Sequence, residues 1–448
     1  MAAAAKQIAK RRIERRNEDE GDVLVLREPA PLTAVLDVGV SKTVCLAARR
    51  DPVLEMHPER PLRVLGVGHQ TAPAIASGKP ADFDACARAI HVAIEEAASM
   101  AGSPIKRVVA SYAGPGVTSQ IVRGAVRVKG SGITQRDIDL VVSAAMAAAP
   151  TPKLSFLHVE PLRYFIDDGE AIADPVGHSG KMLALEACIV TAPTEALNAL
   201  KSCVRQAGAE VEEVIAAPRA SAVAALTPEE RKQGALLIDL GAGAMGLAAF
   251  AAEALTLCET LPMGGVRLTR DLANKLHTTF AAAERVKLHY GVVGAVGDMS
   301  EAISAPRLGP DGRLEAATTL RGVISETLTP RLYEMLLTAR ERIVRAQREG
   351  PDAPRRAVLV GGGAQIPGAR DLAIEALGMP VRIGRPFELC GFDHGEAGPS
   401  YATSAGLLRH RLDIPQIEAF DESPTFAHLA STTRNAVHAT WNWLRDNF

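Results

Sequence analysis

The sequence predicts an α/β protein of two related lobes, with a smaller unit inserted in the first. Three patterns carry that expectation. Short β-branched and apolar runs alternate with stretches of helical period. TAVLDVGVSKTVCLAARR (33–50) and ALLIDLGAGAMGLAAF (235–250), about 200 residues apart, each read as two strands hinged at an acid and a glycine-bearing turn. A third glycine-rich turn, in AVLVGGGAQIPGARDLA (357–373), leads from a strand into a helix. One hairpin repeated at that distance points to a duplicated plan.

Taken in order, the first hairpin is followed by a strand at LRVLGVG (62–68) and a Gly/Pro-rich loop, Thr71 to Pro80. Asp82 to Met100 sets Ile90, Ile94 and Ala97 on one face and Glu95 and Glu96 on the other, which is helix period. A strand at Arg107 to Ser111 follows. From Gly114 to about Cys188 the texture changes: QIVRGAVRVKG, a helix opened by Thr134 with Asp137 in its first turn, then LSFLHVEPLRYFIDD and KMLALEACIVTA. This reads as an inserted β-α-β-β subdomain. A helix spans Thr194 to Ala207, and a strand then a helix span Val211 to Ala225, ending at the Thr227-Pro228 turn. After the second hairpin, helical stretches run from Leu268 to His289 and from Thr319 to Arg348, and past Leu408 the period decays.

At 448 residues the chain exceeds one compact core; about three units are expected. Hydrophobic residues at 47% and charged residues at 23% are the balance of a soluble globular protein. Lys and Arg number 50 against 52 acids, a net charge of −2, so no global basic field exists and no nucleic-acid partner is expected. The six cysteines stand singly without a CxxC, which argues against a zinc site or a disulfide framework and for buried thiols in a reducing compartment. The longest apolar stretch, Ala235 to Leu257, holds Asp239 and Glu253 and falls short of a membrane span. The N-terminus, MAAAAKQIAKRRIERRNEDEGD, lacks the apolar segment of a signal peptide, so the protein is expected to stay inside the cell. That extension reads as a solvated tail or as a basic arm for an anionic membrane.

The three turns, DVGVSK (37–42), DLGAGAMG (239–246) and GGGAQIPG (361–368), share one device. Glycines let the backbone approach a ligand and aim successive N–H groups at an anion. In the first two, an acid at a strand end can hold hydrated Mg²⁺ beside a phosphate tail, and Lys42 can neutralise further charge. In the third, a helix starting near Pro367 offers its positive end. Any one alone could be a plain tight turn; the order and separation of all three favour phosphate cradles. None of the three is read as fitting G-x-x-x-x-G-K-S/T or G-x-G-x-x-G, so neither a P-loop nor a Rossmann dinucleotide fold is expected.

The final segment, RNAVHATWNWLRDNF (434–448), contains both tryptophans of the chain. At about 100° per residue, Val437, Trp441, Leu444 and Phe448 share one face, Trp443 flanks them, and Arg445 lies beside the stripe. A core helix can show the same stripe. At the end of the chain, after an aperiodic linker, it reads as an amphipathic helix lying in a membrane interface.

The D-x-G-x-x-K hairpin, the D-x-G-x-G hairpin and the G-G-G-x-Q-I-x-G turn, in that order, resemble the superfamily of actin, the heat-shock chaperones and the sugar kinases. Within it the chain resembles the FtsA family of bacterial cell-division proteins. The likeness runs from about Thr33 to the last residue and includes RVLGVG, HVEPLRYFIDD, DPVGHSG, PEERKQGALLIDLGAGAM, AERVKLHYG and YATSAGLL. It implies an actin-like two-lobed ATPase fold with ATP and Mg in the cleft. Asp37, Gly39, Ser41 and Lys42 match the first phosphate loop, and Asp239, Gly241 and Gly243 the second, with Gly265 beside it. Asp37 and Asp239 hold Mg through water. Gly361, Gly362, Gly363 and Gln365 form the adenosine side, and Glu284 and Lys287, three apart on a helix, match the ribose and base contacts; a simple surface ion pair has the same spacing. Relatives usually carry Thr and often an acid where this chain has Ala244 and Gly246, so ATP binding is expected with weak or absent hydrolysis.

The same resemblance implies a peripheral adaptor on the cytoplasmic face of the inner membrane at the division site. It would form a homopolymer, bind inner-membrane lipid through the terminal helix, hold the FtsZ C-terminal tail and recruit later division proteins. Arg321, Glu326 and Arg331 are the charged candidates for the FtsZ tail, although a solvated helix face looks alike. The expected division is a basic then acidic extension (1–32), first lobe (33–113), inserted subdomain making the longitudinal contact (114–190), return to the first lobe (191–234), second lobe (235–265), its FtsZ-docking subdomain (266–330), second lobe again (331–398), a return helix of the first lobe (399–410), linker (411–433) and membrane helix (434–448). Two other readings remain open: a pilus-assembly-type actin-like adaptor, which would not call for a Trp-rich terminus, and a small-molecule kinase, for which no acid stands out as the base.

Overall fold

The computed structural model describes residues 31–50, 62–71, 75–76, 79–80, 82–149, 152–349, 354–386, 389, 391 and 398–413. The N-terminal extension and the terminal helix, with Val437, Trp441, Trp443, Leu444, Arg445 and Phe448, lie outside them.

The first lobe is built on β1 (Thr33–Val38), β2 (Thr43–Arg50), β3 (Leu62–Gln70), α1 (Phe83–Ala101) and β4 (Arg107–Tyr112). The insertion follows as β5 (Thr118–Arg127), α2 (Gln135–Ala148), β6 (Leu154–Ile166), β7 (Ala171–Ile172) and β8 (Met182–Pro193). The chain returns through α3 (Thr194–Gln206), β9 (Glu210–Ala216), α4 (Ala217–Ala225) and α5 (Pro228–Gln233). The second lobe holds β10 (Ala235–Leu240), β11 (Met245–Ala251), β12 (Ala254–Leu261), α6 (Gly265–Leu276), α7 (Phe280–Tyr290), α8 (Arg321–Glu349), β13 (Ala357–Val360), α9 (Ala369–Leu377) and β14 (Val381–Ile383). The last described helix is α10 (Ala402–Asp413).

The duplication seen in the sequence is a duplication of topology. Sheet one runs β9-β4-β1-β2-β3 and sheet two β14-β13-β10-β11-β12. In both, the first three strands form an antiparallel meander and two further strands lie parallel to the first. Parallel neighbours need crossovers, and the helices supply them. Residues alternate across each sheet as a pleat requires: Leu36 faces the α1 side, while Val35 packs with Leu407 and Leu408 of α10. One apolar cluster runs from Ala110 and Ala216 in the first lobe to Leu237, Ala248 and Val358 in the second, so the lobes share a base.

The insertion forms a four-stranded sheet ordered β5-β8-β6-β7 with α2 on one face. It is the expected β-α-β-β unit plus the two-residue β7. The expected helix from Leu268 to His289 is two helices, because His277 takes a left-handed conformation (φ 48°) and Thr279 caps α7. Thr and His at KLHTTF keep an apolar period while breaking the backbone. The third glycine turn also differs: a 3-10 turn, Gly362–Gln365, precedes α9, and Pro367 accepts a hydrogen bond from Val293 N–H at 3.0 Å. The glycine turn, rather than the start of α9, therefore abuts the second hairpin. Cys45, Cys86, Cys188, Cys203 and Cys258 are free and buried. Among the described residues no helix is long and apolar enough to cross a membrane.

Gly124 lets β5 lie directly under α2: a Cβ there would stand 2.3 Å from the Ala145 nitrogen. Gly124→Ala should therefore force the helix off the sheet and cost about 1–3 kcal/mol in denaturant unfolding. An unchanged midpoint would show that the insertion yields at no cost.

Candidate functional site

The two hairpin turns meet. A Cβ added at Gly243 would stand 2.4 Å from Val40 Cγ2, and one at Gly361 would stand 2.4 Å from Asp239 Oδ1. Three turns remote in sequence thus converge on one crevice, and their glycines are required by the closeness of approach. Gly39 N–H donates to the Lys42 carbonyl at 2.9 Å, tightening the first turn and leaving Ser41 exposed. Gly241 and Ala242 carbonyls accept from Gly265 and Val266 N–H groups, both at 2.9 Å, which fixes the second turn against the start of α6.

Each hairpin turn begins with an acid. Asp37 is buried and accepts a hydrogen bond from Ser111 Oγ at 2.6 Å. Asp239 accepts from Ser221 Oγ at 2.8 Å and from Thr403 Oγ1 at 3.4 Å. Loss of water raises the Asp37 carboxyl above its usual range, against the Ser111 hydrogen bond and the charge of Lys42. Burial pushes Asp239 up to about 6, opposed by Ser221 and reinforced by the negative charge of Asp37. Lys42 completes the triad: burial lowers its ammonium, while Asp37 and Asp239 both oppose that shift. Its Nζ sits 3.5 Å from the centre of the Tyr401 ring, a cation–π contact. The Ser404 hydroxyl is buried and makes no hydrogen bond of ordinary length.

Glu284 and Lys287 do pair, Nζ to Oε2 at 2.7 Å, and Lys287 also donates to Thr269 Oγ1 at 2.8 Å and to the Gly265 carbonyl at 3.2 Å. Thr269 in turn hydrogen-bonds Glu284. The pair is thus tied to the base of the second turn through α6. On the third turn Gly362 faces open space and Gln365 is exposed. Arg321, Glu326 and Arg331 share α8, but steps of five residues rotate each by about 140°, so they do not form one face. Arg331 is held by Asp271 at 2.6 Å and by Glu334 at 2.5 Å, and Arg321 pairs with Glu301.

Gly241, Gly243 and Gly246 do have the G-x-G-x-x-G spacing of dinucleotide-binding turns, contrary to expectation. Here the turn joins two antiparallel strands rather than a strand and a helix, so that fingerprint does not apply. Residues that sequence reasoning missed are Ser111, Ser221, Thr269, Tyr401 and Thr403. Ser111, Ser221 and Thr403 are small hydroxyls among apolar neighbours, with no charge or period to mark them.

A profile for cell division protein FtsA matches residues 236–406, and one for the SHS2 domain inserted in FtsA matches 114–191. The chain is 31% identical over 428 residues to the cell division protein FtsA of Rhizobium meliloti (strain 1021), covering 93% of this chain and 95% of that protein. The chain belongs to the FtsA family. FtsA of Pseudomonas aeruginosa (PAO1) is 30% identical over 416 residues, with 92% and 97% covered. A solved PilM-PilN type IV pilus biogenesis complex matches with a TM-score of 0.61 at 18% identity, over 85% of this chain and 98% of that one. This FtsA-family chain thus has the actin-like two-lobed fold with an SHS2 insertion.

The raised carboxyl of Asp239 sets a pH signature. A folded-state value above the ordinary 3.8 means that stability falls as pH climbs from about 4 to 6, with the full penalty present above. Asp239→Asn should therefore stabilise the ligand-free protein by about 2 kcal/mol at pH 7.5, with the gain vanishing near pH 4. A pH-independent difference would remove the penalty assigned to this acid.

Proposed function

We propose that this protein is an ATP-binding, actin-like adaptor of bacterial division. It polymerises on the inner face of the inner membrane, holds FtsZ there by its C-terminal tail and brings in later division proteins. The observation that carries this reading is the convergence of three glycine turns on two hydroxyl-braced carboxylates in an FtsA-family chain. The pilus-complex likeness bears on fold alone, and among the described residues no further acid stands out as a kinase's base.

The residues fit Mg and a nucleotide. Asp37 and Asp239 supply hard oxygen donors in a place where their charge is poorly solvated, and Lys42 supplies a cation. With two carboxylates at the site, Mg would be carried largely by water and phosphate oxygens. Bound Mg would screen the phosphate charge. The turns at Gly39 and Ser41 and at Gly241 and Gly243 would line the phosphates. Glu284, Lys287, Gly361, Gly362, Gly363 and Gln365 would line the nucleoside.

Binding without fast turnover also has support. A Cβ at Gly246 would stand 2.8 Å from Pro218 Cγ, so Pro218 fills the space where relatives' acid would stand, and Ala244 offers no hydroxyl. Neither position can orient a water.

In this reading residues 266–330 dock the FtsZ tail, 114–190 make the longitudinal contact and 434–448 anchor the polymer. Burying four or five large side chains of that helix yields about 1.5–3 kcal/mol each before ordering costs. One tail holds weakly, and a filament of many holds firmly through effective concentration.

Lipid co-sedimentation of the full chain against a variant lacking Trp441 to Phe448 tests the adaptor. The full chain should pellet with anionic vesicles, more so with Mg·ATP, and the shortened chain should stay in solution while still binding ATP. Equal pelleting of the two would refute the anchor.

A further inference from the structure

A half-buried ionic cluster lies outside the crevice, at the root of the insertion. Arg219, on α4, donates from Nε to Glu160 Oε1 of the insertion strand β6 at 2.7 Å, with side chains only 12% and 22% exposed. Its other face meets His410 Nδ1 of α10 at 3.1 Å. Arginine can only donate, so Nδ1 accepts and Nε2 carries the proton, which Glu213 of β9 receives at 3.3 Å. Two residues before Glu160, and so on the same face of its strand, His158 Nε2 accepts from the Ala216 N–H at 3.0 Å, where α4 begins.

The same two helices carry the hydroxyls that brace the crevice. Arg219 and Ser221 lie two apart on α4, and α10 bears both Thr403 and His410. Ser221 and Thr403 share a hydrogen bond at 2.9 Å and both reach Asp239. The helices are packed backbone to backbone: a Cβ at Gly406 of α10 would stand 1.8 Å from the Ala220 carbonyl oxygen. The insertion is fastened to the other lobe as well. Val117 N–H donates to Thr260 Oγ1 at 3.2 Å, and Cys258 N–H to Ser119 Oγ at 2.8 Å. It therefore straddles both lobes and is held to one by a strut from the crevice helices.

We infer that Arg219 is a positioning residue that couples occupancy of the crevice to the setting of the inserted domain, through its ion pair with Glu160. The inference rests on nucleotide binding in that crevice. Any ligand that draws on Asp239 shifts Ser221 and Thr403, and the paired helices carry the shift to Arg219 and His410. By linkage, the coupling is reciprocal: a change at Glu160 alters nucleotide affinity without touching the nucleotide.

Hydrogen exchange of the full chain with and without Mg·ATP, joined to a binding titration, tests this. Mg·ATP should slow exchange in residues 154–166 of the unaltered protein. In Glu160→Gln, which keeps the side chain's size, the slowing should be lost and ATP affinity should change about fivefold. Arg219→Lys, which keeps charge but not the fork, should reduce the slowing in part. Nucleotide binding with unresponsive 154–166 strands in the unaltered chain would overturn the coupling alone, as would identical slowing and affinity in Glu160→Gln. Absence of nucleotide binding by the unaltered chain would overturn the crevice reading together with the coupling.

Discussion

Two poorly solvated carboxylates lie where three glycine turns converge, close enough for the charge of Asp37 to act on Asp239 and for both to act on Lys42, and the rest of the molecule is arranged around that fact. Burial raises the proton affinity of both Asp37 and Asp239, the charge of Asp37 raises that of Asp239 further, and one lysine and three hydroxyls offset only part of the cost. A fold does not keep such a pair for stability, since two apolar residues would pack better there. The arrangement is intelligible as a place prepared for a cation and an anion that arrive together.

Duplication explains how the pair comes to be there. Each lobe repeats the same five-stranded order, and each places its acid at the end of the first strand, just before the hairpin turn. Bringing the lobes together over a shared apolar base turns two equivalent strand ends toward one another. Helices α4 and α10 close the base of that arrangement and supply the hydroxyls on Asp239, while β4 supplies the Ser111 hydroxyl on Asp37. The insertion hangs from the same helices on one side and from β12 on the other, so its footing depends on how the lobes are set.

Much of this was legible in the sequence, for physical reasons that also mark the limits. The hairpins announced themselves because an acid, a glycine turn and β-branched flanks are each dictated by backbone geometry, and Asp37, Lys42, Asp239 and Gly243 do meet. Pairing of Glu284 with Lys287 followed from helical spacing. The hydroxyls did not show, because Ser111, Ser221 and Thr403 interrupt apolar runs without altering period or charge. The break at His277 was hidden because no glycine or proline marks it, and only the three-dimensional path reveals the left-handed residue.

The position of a bound nucleotide is the most direct test of the crevice. A crystal structure of the protein with Mg and a non-hydrolysable ATP analogue should show the triphosphate between the turns at 39–42 and 241–244, with the metal within one water of both Asp37 and Asp239. A nucleotide ordered elsewhere on the molecule, with the two acids still facing each other across a crevice that it does not enter, would contradict it.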